Sequence, residues 1–180
     1  MNVNTKLGLL HLFIWIGVIS SFFILSLTEL LICMFIGWVL GLIAQPVAMH
    51  RYFTHRAFET NRFWHHFLLL HAILASEGSP LIYKSVHIKH HRYTDQESDP
   101  HSPTHMGAIH TFFPFLRFLY SKPENVETNL LYSRDLLRDT QHTFVNENYF
   151  KIHFVYFATL LAINPILVYP FYIFTAWTAI

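Results

Sequence analysis

The chain has 180 residues, of which 53% are hydrophobic and only 13% are charged. Because a typical soluble domain is roughly 25% charged, this composition favours a membrane protein over an ordinary soluble one. The net charge of +1 gives no electrostatic basis for binding nucleic acid. The single cysteine, Cys33, excludes a disulfide or a cysteine-based zinc site within one chain.

Two long apolar runs open the chain, at about residues 7–27 and 30–49. Each is long enough to cross a bilayer, which takes about 20 residues. Only a short polar interruption at Thr28 and Glu29 separates them. Since a backbone in lipid has to satisfy its hydrogen bonds internally, the two runs predict a transmembrane helical hairpin over residues 1–49.

Charged residues are concentrated in residues 50–148, which we interpret as the water-facing part of the chain. Lys6 and Arg51 flank the outer ends of the two apolar runs, whereas the turn between the runs carries no basic residue. By the positive-inside rule, residues 50–148 form a helical cap that faces the cytosol. Residues 149–180 are apolar again and predict a third span and the start of a fourth. The sequence therefore predicts an all-α integral membrane protein.

Five of the 14 histidines form two clusters, and the second of these is HIKHH at residues 87–91. His87, His90 and His91 stand at positions i, i+3 and i+4. On a helix they share one face, and three imidazoles on one face are a ready set of metal ligands. Imidazole suits iron, zinc, copper and nickel, so the ligand type alone leaves the metal open.

The first cluster is HRYFTH at residues 50–55. His50 and His55 are five residues apart, which is about 140° around an ideal α-helix. The pair can work as ligands if the helix distorts at the end of the second span, or if the two side chains approach the metal from different sides. The lone histidines need no functional explanation, and we interpret them as ordinary neutral side chains: His65, His66, His71, His142 and His153.

The two clusters and the residues around them resemble a known family. HRYFTHRAF and HIKHHRYTD are similar to the first two histidine boxes of the membrane fatty acid desaturases, in particular the acyl-CoA Δ9 (stearoyl-CoA) type. EGSPLIY and DQESDPHSP, before and after the second box, resemble the same family. The resemblance implies four spans, a cytosolic cap and a site for two irons with O₂ as co-substrate. It makes five histidines the iron ligands: His50, His55, His87, His90 and His91.

The activity implied by the resemblance is oxygen-dependent desaturation of a long-chain fatty acyl chain at C9–C10, in unsaturated fatty acid biosynthesis. The substrate would be a fatty acyl-CoA, and an electron donor such as cytochrome b5 or a ferredoxin would reduce the irons. The chain would contact membrane lipid in the endoplasmic reticulum, if eukaryotic, or the inner membrane, if bacterial, with the histidine boxes facing the cytosol. The tryptophan and basic residues that the family places soon after DPHSP for the CoA head group do not occur here before Arg117, so another fatty acyl carrier is an open alternative.

Three further positions match the family's pattern in part. Glu77 and Tyr83 stand where the family has Gln and Trp, in the stretch that lines the bend of the acyl tunnel. The resemblance makes both substrate-binding residues. Asp99 belongs to the family's DPH sequence, and we expect it to orient a ligating histidine rather than to bind metal itself.

The family's third histidine box is missing from this sequence. After His110 only His142 and His153 follow, and five histidines cannot fill two octahedral iron sites. We therefore expect the chain to be truncated, a piece of a longer desaturase. Two alternatives stay open. One is a related di-iron fatty acyl hydroxylase, which makes an alcohol rather than an alkene. The other is an inactive desaturase-like membrane subunit that partners an intact enzyme.

Overall fold

The computed structural model describes residues 3–100, 102–107, 109 and 130–178, so most of residues 108–129 of the predicted cap lie outside it. Within the described ranges every regular element is helical, which confirms the predicted all-α class. The elements are α1 (Val3–Ile24), α2 (Leu27–Leu42), a π-helix (Ile43–Thr54), α3 (Arg62–Leu74), α4 (Pro80–Tyr93), α5 (Pro103–Met106), a 3-10 turn (Leu130–Ser133), α6 (Arg134–Leu137), α7 (Thr140–Ile163), a second 3-10 turn (Pro165–Leu167) and α8 (Val168–Thr178).

The two N-terminal apolar runs form helices that are long and apolar enough to cross a membrane, Thr5–Ile24 and Leu27–Thr54. The second of them continues without a break from α2 through the π-helix. Large apolar side chains such as Phe23 and Phe35 are exposed on their surfaces. Helices that are apolar all round are typical of a buried core or of a membrane span, and these two helices are largely exposed in the folded chain.

A capping box sets the turn between α1 and α2. The hydroxyl of Ser26 accepts a hydrogen bond from the backbone N–H of Glu29, and the Glu29 carboxylate accepts one from the N–H of Ser26 at 2.9 Å. This reciprocal pairing satisfies two N–H groups at the helix start. The helix therefore begins at Leu27, so that Thr28 and Glu29 lie inside α2 rather than in the turn that their polarity indicated.

The helix that contains the predicted third span begins earlier than the apolar pattern indicated. α7 starts at Thr140 rather than near residue 149, because Asp139 caps it by accepting a hydrogen bond from the N–H of Gln141 at 2.8 Å. It ends at Ile163, just before the predicted break at residues 164–165. The first half of α7 is polar, and in the part of the chain that the structure describes only the two N-terminal helices reach the length and apolarity of a span. A third span thus stays a prediction.

α8 packs against both α1 and α2, and it does so at glycines. A Cβ atom added at Gly17 would lie 2.4 Å from the ring of Tyr172, so this ring rests on the bare backbone of α1. A Cβ added at Gly37 would lie 3.0 Å from the carbonyl oxygen of Pro170. Small residues let helices approach closely in a membrane. Here Gly17 and Gly37 let α8 pack closely against both α1 and α2.

The core of the cap lies among the π-helix, α3, α4 and α7. Its buried side chains include Met49, Phe53, Leu69, Ala72 and Tyr149. A buried polar chain ties this core to α1, because His11 Nε2 lies 3.0 Å from the carbonyl oxygen of Ser76 and the Ser76 hydroxyl lies 3.2 Å from His153 Nε2. His153, which looks isolated in the sequence, is therefore part of a structural hydrogen-bond chain.

A group of three charged residues joins α4 to α6. Lys84 Nζ lies 2.6 Å from Asp135 Oδ2, and Arg56 Nη2 lies 2.5 Å from the same oxygen. Burial alone would raise the pKa of Asp135, but the hydrogen bond and charge of Lys84, with the charge of Arg56, lower it. The Lys84 side chain is only 9% exposed, so the Asp135 carboxylate is the counter-charge that its buried ammonium requires.

We expect Gly17→Ala to lower the free energy of unfolding by ~1–3 kcal/mol, because the new methyl group has to displace the Tyr172 ring. Thermal unfolding in detergent measures the change. The double variant Gly17→Ala/Tyr172→Leu removes the ring that the methyl group meets. It should lose less stability than the sum of the two single variants, and strictly additive losses would contradict the contact.

Candidate metal centre

The π-helix brings His50 and His55 together. In such a helix each N–H group bonds to the carbonyl five residues back, and the N–H of His55 bonds to the carbonyl of His50 at 3.0 Å. The two imidazole centroids are 4.5 Å apart as a result. Pro46 lies inside this helix, has no N–H group and would clash with a carbonyl in an α-helix, which favours a departure from α-helical winding. Of the two possibilities that the five-residue spacing left open, the structure thus shows the distorted helix, in the form of this π-helix.

α4 carries the second pair of histidines. Ser79 caps the helix by accepting a hydrogen bond from the N–H of Ile82 at 3.4 Å, and Pro80 fits the first turn, where no N–H is needed. His87 and His91 lie one turn apart on the same face, with their Nε2 atoms 2.9 Å from each other. The predicted i, i+4 pair is thus formed on a regular α-helix.

The two pairs meet as one group of four imidazoles, which we call the four-histidine group (His50, His55, His87 and His91). Ring centroids are 4.7 Å apart between His50 and His87 and 5.1 Å apart between His55 and His91. One ring nitrogen from each of the four lies within 4.8 Å of the others. The donor set fits iron, since imidazole suits iron as well as zinc, copper and nickel. His55 and His91 are exposed, so the group is open to solvent on one side.

The electrostatics of the group favour neutral imidazoles. Burial and the neighbouring imidazoles lower the pKa of His87 to about 3. Burial, and then the charges of His91 and Lys84, also lower the pKa of His55. A metal binds the deprotonated ring nitrogen, so these imidazoles have their lone pairs available at neutral pH.

Tyr83 and Gln45 hold the ring of His87 in place. The Tyr83 ring stacks on His87, with centroids 5.3 Å apart and planes 11° apart, and Gln45 Nε2 donates to the Tyr83 hydroxyl at 3.1 Å. Tyr83 is thus buried against a candidate ligand. Glu77 lies half-buried between α3 and α4, and its charge adds to burial in raising the pKa of Tyr83. The substrate-binding roles of Tyr83 and Glu77 stay predictions.

His90 is not a member of the four-histidine group. Its Nδ1 lies 2.8 Å from Asp99 Oδ1, and the Asp99 side chain has no exposed surface. The other Asp99 oxygen accepts a hydrogen bond from the N–H of Asp95 at 2.9 Å. The position of Asp99 is therefore compatible with the predicted role of orienting the His90 ring. The ligand role of His90 stays a prediction, because in the described part of the chain it belongs to no group of three ligand atoms.

A second group of possible ligands is not apparent from the sequence. His65, Asp139 and His142 each offer one ligand atom, and these atoms lie within 4.8 Å of one another. Burial lowers the pKa of His142, which keeps its imidazole neutral. His65 is in α3 and the other two residues are at the start of α7, so no local pattern links them. The interpretation of His65 and His142 as unrelated lone histidines does not anticipate this proximity.

Comparison with known proteins gives one family. The family model for fatty acid desaturases matches residues 26–180. A hex-5-enoyl-[acyl-carrier protein] acetylenase of Moorena producens (strain JHB) is 33% identical over 118 residues, which are 62% of this chain and 37% of that protein. An acyl-CoA 5-desaturase of Anemone leveillei is 29% identical over 162 residues, 87% of this chain and 47% of that protein. The Delta-9 acyl-lipid desaturase 2 of Arabidopsis thaliana is 38% identical over 69 residues, 38% of this chain and 22% of that protein.

The chain spans less than half the length of these relatives. No solved structure matches it.

We expect His87→Ala to weaken metal binding at the four-histidine group by at least about 100-fold, because it removes one of four converging ligands. Titration of the chelator-treated protein with Fe²⁺ or Zn²⁺ in detergent measures the affinity. His66→Ala is the matched control, since His66 is exposed on α3 and belongs to neither ligand group. Equal losses in the two variants would contradict the assignment.

The depressed pKa of His87 predicts that the metal-free protein loses stability as the pH falls. In the unfolded chain this imidazole takes up a proton below pH 6.5, whereas in the folded chain it does so only near pH 3. The unfolded state therefore binds more protons in this window, and folding is disfavoured as the pH falls through it. Thermal unfolding in the presence of a chelator, across these pH values, should show a smaller fall for His87→Gln than for the unchanged chain. Parallel curves would contradict this origin.

Proposed function

Because the chain belongs to the fatty acid desaturase family, we propose that it takes part in the oxygen-dependent desaturation of a long-chain fatty acyl chain. The observation that carries the proposal is the four-histidine group, in which histidines from two separate sequence clusters converge within 4.8 Å. His50 and His87 are 37 residues apart in the sequence, and convergence of histidines from two such clusters is the arrangement that a shared metal ion requires.

We assign the four-histidine group as the ligands of one iron. Bound iron would supply the redox chemistry with O₂ that breaking two unactivated C–H bonds requires, which amino-acid side chains do not supply. The chain's own contribution is to position the ligands and keep them neutral. The π-helix aligns His50 with His55, and the Tyr83 ring holds His87 through its stacking and its hydrogen bond from Gln45.

His90 is the ligand that we assign to a second iron, as the resemblance implies. Asp99 accepts from its Nδ1 at 2.8 Å, which fixes the ring and directs its Nε2 away from the carboxylate. This is the arrangement in which an outer carboxylate orients a ligating imidazole. The second iron requires ligands beyond those that the described residues bring to His90.

The substrate in this proposal is a fatty acyl chain desaturated at C9–C10. The names of the similar proteins include acyl-lipid, acyl-CoA and acyl-carrier-protein substrates, so the family supports the acyl chain more strongly than any one carrier. We keep acyl-CoA as the proposed carrier, with Glu77 and Tyr83 near the acyl chain. The electron donor would be cytochrome b5 or a ferredoxin.

The proposed location is a membrane, with the histidine boxes on the cytosolic side. Two apolar helices of spanning length support it, and the basic residues Lys6 and Arg51 lie at the ends that the positive-inside rule places in the cytosol. This membrane would be the endoplasmic reticulum in a eukaryote and the inner membrane in a bacterium.

Product analysis tests the proposal. The chain is expressed in a host that lacks its own C9–C10 desaturase but keeps its electron donors, and the fatty acids are analysed by mass spectrometry. Because the second iron requires further ligands, the chain is co-expressed with the third-histidine-box region of a family member. We expect a new C9–C10 alkene, abolished by His87→Ala and kept by His66→Ala. A hydroxylated acyl chain would instead identify the related hydroxylase. No new product, together with co-purification of an intact desaturase, would identify a non-catalytic subunit.

A further inference from the structure

We propose that His65, Asp139 and His142 form a second, mononuclear binding site for a divalent transition-metal ion, separate from the four-histidine group. The three residues come from α3, from the residue that caps α7 and from the first turn of α7. Their ligand atoms lie within 4.8 Å of one another, and the two imidazole centroids are 6.1 Å apart at an angle of 82°. The site does not depend on the proposed desaturation.

Two of the three side chains are held by a hydrogen bond that leaves a ligand atom available. The hydroxyl of Tyr52 lies 3.0 Å from His65 Nδ1, and in the tautomer that donates to this hydroxyl His65 Nε2 carries a lone pair. Asp139 Oδ1 accepts from the N–H of Gln141 at 2.8 Å, which leaves Oδ2. Metal-ligating imidazoles and carboxylates are commonly oriented in this way by an outer hydrogen bond.

His142 supplies the independent observation. It is 2% exposed, and its Nδ1 is buried without a hydrogen-bond partner in the part of the chain that the structure describes. Buried polar atoms are nearly always paired, so an unpaired nitrogen on an imidazole that lies close to a carboxylate and a second imidazole calls for an explanation. The ring of Phe53, with its centroid 5.1 Å from that of His142, supplies no polar partner. A metal ion would be a suitable partner, because a neutral imidazole nitrogen can donate its lone pair to it.

The donor set points to a particular class of ion. Two imidazoles and one carboxylate bind Zn²⁺ in sites that keep a further position open, and they bind Fe²⁺ in non-haem iron sites. Structural zinc sites are usually closed by four protein ligands, whereas this group has three. It opens on a cleft of about 410 Å³ that Tyr52, Arg56 and Glu59 also line. Water from this cleft would complete the coordination.

Metal titration tests the site in the full chain. The double variant His87→Ala/His91→Ala removes two ligands of the four-histidine group and serves as the background. In this background, after treatment with a chelator, we expect Zn²⁺ to bind at about one ion per chain. Co²⁺ used as a second probe should give visible absorption bands whose intensity reports a low coordination number.

Three variants in the same background decide the question. Asp139→Asn removes the charge but keeps a residue that caps helices well, so α7 should still begin at the same place. His65→Ala removes a half-buried ligand, and His66→Ala changes the exposed neighbour on the same helix. We expect a loss of affinity of more than about 100-fold in the first two and none in the third.

Two results would overturn the site. One is a background variant that binds no Zn²⁺ although circular dichroism shows its helices intact. The other is an Asp139→Asn or His65→Ala variant, equally well folded, that binds as tightly as His66→Ala. His142→Ala is left out of the set because its imidazole is buried in the core, and its loss would confuse metal binding with folding.

Discussion

The candidate metal centre depends on the π-helix at residues 43–54. In this helix each N–H group bonds to the carbonyl five residues earlier. Ordinary α-helical bonding would turn His50 and His55 about 140° apart and leave only one of them facing α4. π-helical hydrogen bonding is rare and occurs mostly in short segments, which are frequent at functional sites. The packing of Met49 and Phe53 in the cap core helps to maintain the unusual winding.

The parts of this arrangement that could be predicted are those that depend on nearby residues. The i, i+4 pair His87 and His91 follows from helical periodicity, and it lies as expected on α4. The five-residue spacing of His50 and His55 left two possibilities, a distorted helix or side chains that approach the metal from different sides, and did not decide between them. His90 is different, because its direction depends on a buried carboxylate in a loop after the helix. Helical periodicity predicts the face on which a residue lies, but it does not predict which neighbouring group will form a hydrogen bond with its side chain.

Contacts between distant segments could not be predicted from the sequence. His65 and His142 face each other only because α3 packs against α7, and no periodic pattern spans that separation. Likewise, the composition indicated two apolar helices but gave no reason to expect that α8 would join them at Gly17 and Gly37. A glycine in an apolar run becomes informative only when its neighbour is known. The class of fold, in contrast, follows from composition and apolar run length alone.

The position of α8 in the chain has a consequence for biosynthesis. A chain emerges from the ribosome with its N-terminus first, so every member of the four-histidine group has been made by the time residue 93 appears. About 80 further residues must be added before α8 is available to pack against Gly17 and Gly37. During this interval all four histidines are present, but α7, which completes the core of the cap, and α8, which joins α1 to α2, have not yet been made. The four-histidine group and the contacts that join α1 to α2 are therefore both completed late, after the segments that supply most of their residues.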